Sequence, residues 1–158
     1  MATTKLTYAA NAAITCTLDN LASSQTVGRS SAYQDNSTNL YLDALVSAII
    51  PIATGTPAND QAVYFYAYGS TDLTNYTEGV TGTDASFTIN NPTGLKLIGI
   101  IPTPTGGITY YGGPWDVAAA FGGILPEQWG LVVVNYSGLA VGASGASVNF
   151  TGITATTA

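Results

Sequence analysis

The chain contains no histidine. Ser-His-Asp and Cys-His catalysis, histidine-ligated zinc and the usual general base at neutral pH are all excluded with it. Charge is scarce as well, at 8% of residues against about 25% in an average soluble domain. Lys5, Arg29 and Lys96 stand against nine acids, for a net charge of −6. With no basic patch to neutralise phosphates, nucleic acid is not expected as a direct partner. Apolar runs such as residues 95–101 fall far short of the roughly 20 residues of a spanning helix, which argues against a membrane role. The opening MATTKLTYAANAAITC has no continuous apolar stretch and does not read as a secretory signal. Cys16 is the single cysteine, so neither an intrachain disulfide nor a cysteine metal cluster can form. In ITCTL it shares a face with Ile14 and Leu18, which predicts a buried, inert thiol. A phosphate loop and a GxGxxG fingerprint are also missing.

What is present is apolar and turn-rich. Hydrophobic residues make up 46% of the chain, mean hydropathy is +0.26, and Thr, Ser, Asn and Gln replace charge as the polar component. A surface poor in Lys and Glu is the kind found inside an assembly, because charged residues are depleted from interface cores. The length of 158 residues suits one domain with a sizeable core. Segments rich in Val, Ile, Tyr, Phe and Thr predict strands at 14–18, 40–50, 61–68, 86–89, 95–101, 115–121, 131–136 and 147–153. Clusters such as PIATGTPAND, INNPTG and IPTPTGG punctuate them. The fold class is therefore all-β, a two-sheet sandwich of about eight strands in a jelly-roll-like arrangement. NLYLDALVSAII also has helical spacing, but its β-formers and Pro51 favour a strand. PWDVAAAFGG is a weak helix candidate, and LPEQWG predicts one helical turn at 125–130. The small, polar termini, residues 1–13 and 154–158, read as arms that order against neighbours.

Candidate chemistry is limited to carboxylates and aromatics. Asp72, Glu78 and Asp84 share one polar loop, but their spacing matches no known calcium loop, so a solvated turn is expected. Asp72 with Glu78, or Asp116 with Glu127, could form a glycosidase-type pair, with nothing to set their separation or raise a pKa. No enzymatic activity and no cofactor are expected. In AVYFYAYGSTDL, period two places Tyr64, Tyr66 and Tyr68 on one face and Val63 and Phe65 on the other. The tyrosines are candidates for a sugar platform or for a packed wall with hydroxyls reaching partners at a subunit interface. Because both faces are apolar or aromatic, the packed wall is preferred. Trp115 and Trp129 are further aromatic candidates, Trp129 as a core anchor. Tyr110 and Tyr111, in the glycine-rich GGITYYGG, are candidates for subunit contact, and Arg29 for pairing with an acid of a neighbouring subunit.

Three stretches, DNSTNLYLDALVSAII, AVYFYAYGSTDL with its GVTGTDASFT continuation, and GGPWDVAAAFGGILPEQWGLVVVNYSG, resemble a group of small virion proteins of tailed bacteriophages. None carries a catalytic motif, so no active residues transfer. The resemblance implies a β-sandwich structural protein, made in the host cytoplasm and placed on the outer surface of the phage head. Its implied role is capsid decoration or cement, its implied partners the major capsid protein and copies of itself, commonly as a trimer. A tail, baseplate or fibre component, and a carbohydrate-binding sandwich, are the competing readings.

Overall fold

The computed structural model describes residues 3–157 and is all-β, with eleven strands in two antiparallel sheets. The first sheet holds β1 (Thr4–Tyr8), β2 (Ala12–Ala13), β5 (Asp43–Pro51), β9 (Thr109–Asp116) and β11 (Ser147–Thr157). The second holds β3 (Val27–Ser30), β4 (Gln34–Asp35), β6 (Ala62–Ser70), β7 (Ala85–Thr88), β8 (Lys96–Pro102) and β10 (Gln128–Tyr136). With β1, β4 and β7 set aside, eight strands remain, ordered β2-β11-β5-β9 in one sheet and β3-β10-β6-β8 in the other. Each connection along these eight crosses between sheets except that from β6 to β8. This is jelly-roll order, a double Greek key in which two sheets share one core.

Local sequence explains the central strands. β5 alternates strictly, with Ala44, Val46, Ala48 and Ile50 buried. Beside them in the same sheet lie Val148 and Phe150 of β11, and opposite lie Val63, Phe65 and Ala67 of β6 with Leu131 and Val133 of β10, all in one cluster. Fully burying a side chain of Val, Leu or Phe size contributes roughly 1.5–3 kcal/mol, so this layer dominates stability. β10 is the middle strand of its sheet and is covered on both faces, which is why its sequence is a continuous apolar run. Val132 and Val134 enter a second, smaller cluster on the outer face, with Tyr68, Val80 and Leu95.

Several elements differ from the expectation. Residues 14–18 are not a strand: Ile14 still donates to Val148, but the Thr17 amide and hydroxyl then turn to the Asp84 carboxylate. Leu40 and Leu42 lie outside β5 because Asn36 clamps Tyr41, its amide donating to the Tyr41 carbonyl and its oxygen accepting from the Tyr41 N–H. That clamp bulges the segment out and holds Leu40 at φ 51°. The strand expected at 115–121 ends at Asp116 and gives way to a single 3-10 turn, Ala118–Phe121. Asp116 accepts from the Ala119 N–H and Asp43 from the Ala118 N–H, so two carboxylates cap that turn. The helical turn expected at 125–130 is absent, since Gln128 already opens β10. Strands β1, β2, β3 and β4 were not expected, nor was the start of β9 at Thr109.

The terminal segments pair with one another. Thr4–Tyr8 run antiparallel to residues 153–157, while β5 accompanies β11 only as far as Ile153. Residues 154–157 therefore have β1 as their sole strand neighbour, and a two-stranded ribbon extends past the sandwich. Residues 1, 2 and 158 of the expected arms lie outside the described residues.

Candidate functional site

The tyrosine row lies on the outer face of β6 and splits into a sealed part and an open part. Tyr68 is completely buried, with its ring over Gly130, where a Cβ would approach the ring to 2.4 Å. Its hydroxyl donates to the Ser31 carbonyl at 2.8 Å, and Tyr76 meets it edge-on from the loop at 71–84. Tyr76 in turn donates to the Gln128 side chain. The interface role expected of Tyr68 is thus overturned, because a segment of its own chain covers it and satisfies its hydroxyl. Tyr64 and Tyr66 remain half-exposed, their rings stacked at 6.5 Å. Tyr64 donates to Asp60 at 2.9 Å, and burial, followed by that carboxylate, pushes its hydroxyl up to about 12.

Arg29 finds its acid within the chain. Its Nε lies 2.5 Å from Asp84 Oδ1, and its Nη2 donates to the Asp84 carbonyl. The expected pairing with a neighbouring subunit is corrected accordingly. Burial pushes Asp84 up, but the hydrogen bonds from Arg29 and Thr17 outweigh it and hold the carboxyl below its ordinary value. The half-buried Cys16 packs at the core margin, and burial, aided by Asp84, raises its thiol to about 12. Such a thiol stays protonated and unreactive near neutral pH.

The acids of the 72–84 loop serve separate local structures. Asp72 accepts from Ser70, Thr74 and Asn75, which hold it well below the carboxylate range. Glu78 accepts from the Thr93 hydroxyl and the Gly94 N–H through Oε1, and its Oε2 is buried without a partner among the described residues. No group of three or more possible metal-ligating side chains comes together among the described residues. Glu127 lines a hollow of about 460 Å³ beside Asn36 and Leu125, while Asp116 caps the turn at Ala119. A carboxyl pair not anticipated from sequence is Asp43 with Asp116. Burial raises Asp43, and the neighbouring Asp116 adds to the shift while backbone N–H groups oppose it. The signal was available in principle, since Asp43 opens β5 and Asp116 closes β9, the strand beside it.

A groove of about 490 Å³ lies where β8 and β9 approach each other, and each of those strands is the last in its sheet. Ile100, Pro102, Pro104, Tyr110, Tyr111 and Trp115 line it. The Trp115 ring packs on Phe65 and lies over Gly99, where a Cβ would come within 2.2 Å. Trp115 is therefore a half-buried corner residue between sheets, and Trp129 a fully buried core anchor against Phe150. Tyr110 is half-buried, its hydroxyl donating to the Thr105 carbonyl and accepting from the Thr105 N–H. Tyr111 is 77% exposed. At the opposite edge of the first sheet, the terminal ribbon presents Leu6 and Tyr8, 62% and 66% exposed. No protein-family model, curated protein or solved structure matches the chain.

Proposed function

We propose that the chain is a non-enzymatic structural protein of a bacteriophage particle, a decoration protein that cements the outer surface of the head. The observation that carries this reading is the apolar groove between the two open sheet edges, β8 and β9, with Tyr111 standing out of it. Open edges and large exposed apolar side chains are liabilities for a protein alone in water, and assets for one that is covered by neighbours. The terminal ribbon adds a second apolar surface at the far edge. A surface with few charges suits both contacts.

The stretches that resemble small virion proteins contain β5, β6 and β10, the frame of both sheets, so they support a fold and a class but assign no residue. In this reading the major capsid protein and further copies of the chain are the partners. Trimers would sit on local symmetry axes of the shell, and many copies would add modest contacts through avidity. Quantitative mass spectrometry of purified particles tests it. The expected result is a copy number comparable to that of the capsid lattice. A handful of copies per particle would move the chain to the tail or fibre, and none at all would remove it from the virion.

A further inference from the structure

The open half of the tyrosine row borders two adjoining hollows on the outer face of the second sheet, of about 220 and 200 Å³. Both are lined by Tyr66 and Gln25; Tyr64 and Asp60 are among the further residues of one, beside Val134 and Tyr136, and Asn90 and Asn91 among those of the other, beside Ile89. We propose that this double hollow binds a neutral oligosaccharide, stacked on Tyr66 with its hydroxyls met by Asp60, Gln25, Asn90 and Asn91.

Three features converge on that ligand class. The Tyr64 and Tyr66 rings lie 6.5 Å apart with 26° between their planes, and both line the first hollow, giving it an aromatic surface. The face of an aromatic ring is negative, and the C–H groups on one side of a pyranose are its natural complement. Around that surface stand groups that both donate and accept, as sugar hydroxyls do. The Gln25, Asn90 and Asn91 amides and the Tyr66 hydroxyl make no hydrogen bond to the chain among the described residues. Each amide offers two donors and an acceptor. Asp60 uses Oδ2 for the Tyr64 hydroxyl and leaves Oδ1 free. Tyr64 remains protonated at any ordinary pH and so keeps the carboxylate oriented.

Charge sets the specificity. No Lys or Arg lines either hollow, and Asp60 is the one acidic residue there. Uronates, sialates and phosphorylated sugars would meet repulsion with nothing to offset it. The contrast with Tyr68 also matters, because the loop at 71–84 seals that ring and leaves Tyr66 half-exposed. This site does not depend on where the chain sits in a particle, so it stands or falls apart from the decoration role.

The full chain is applied to an array of neutral and acidic oligosaccharides, and the strongest binders are followed by titration calorimetry. Saturable binding to neutral sugars is expected. Tyr66→Ala should weaken it by about tenfold or more, whereas Tyr66→Phe, which keeps the ring, should stay within about threefold. Circular dichroism and thermal unfolding report whether each variant is folded. Should Tyr66→Ala unfold, the double variant Gln25→Ala/Asn90→Ala is read instead, with a similar loss expected. No binding to any neutral sugar, binding confined to acidic ones, or undiminished affinity in a folded variant overturns the proposal.

Discussion

The Tyr68 hydroxyl donates to the Ser31 carbonyl at 2.8 Å, reaching from β6 across Gly130 of β10 to the segment that follows β3. The bond ties three neighbouring stretches of the second sheet from its outer side. Tyr68→Phe keeps the ring and strands a buried carbonyl, so it should cost about 1–2 kcal/mol. Gly130→Ala would drive a methyl into that ring and should cost about 1–3 kcal/mol. Urea unfolding of the two variants checks both, and the glycine variant should also perturb the near-ultraviolet signal of Tyr68.

The Arg29–Asp84 pair predicts acid sensitivity. Asp84 is held below its ordinary value in the folded chain, so the unfolded state binds more protons over that window. Its contribution is then complete above about pH 4 and is lost as pH falls through the folded value. Asp84→Asn should destabilise by about 1–2 kcal/mol at pH 7, a discounted figure because both side chains remain partly exposed. Denaturant midpoints measured from pH 7 down to pH 2 should fall less steeply for Asp84→Asn than for the parent chain.

Asp43 predicts the opposite slope. Burial, reinforced by Asp116, raises its carboxyl, so the folded state holds the proton longer than the unfolded one. The stabilising contribution is present below the unfolded value of about 4 and is lost as pH rises through the folded value. Asp43→Asn retains an oxygen to accept from the Ala44 and Ala118 N–H groups and removes the repulsion with Asp116. At pH 7 it should be neutral or stabilising by up to about 1 kcal/mol. Thermal unfolding at pH 4 and pH 7 should show a smaller difference in the variant than in the parent.

The alternation of β5 and β6 and the apolar run of β10 were legible because each strand reports its own burial through its own side chains. β9 was not, since the glycines and proline of TYYGGP read locally as a turn. They suit a strand only because β9 is an edge, with Trp115 folded back over Gly99 of β8. The tyrosine row was visible, but not that a loop from the same chain would seal Tyr68 and stop short of Tyr66. Arg29 and Asp84 are 55 residues apart, and no local pattern joins them. Side-chain clamps decided the misplaced boundaries: Asn36 on Tyr41, Asp84 on Thr17, and Asp43 with Asp116 on the turn at Ala118. Each is a tertiary hydrogen bond that outweighs β propensity at one or two residues.

The terminal ribbon separates folding from assembly. Isolated two-stranded ribbons are marginal in water, and this one extends past β5 with Leu6 and Tyr8 exposed, so it adds little to the sandwich that carries it. The double variant Leu6→Ser/Tyr8→Ser should therefore unfold within about 0.5 kcal/mol of the parent, as surface changes usually do. Under the decoration reading it should nevertheless lose occupancy on particles, because two apolar anchors of a contact are gone. Thermal unfolding gives the first quantity. Rebinding of purified protein to particles stripped of it, followed by sedimentation, gives the second. Full occupancy at unchanged stability would show that the ribbon touches no neighbour, and would leave the groove between β8 and β9 as the remaining surface for that contact.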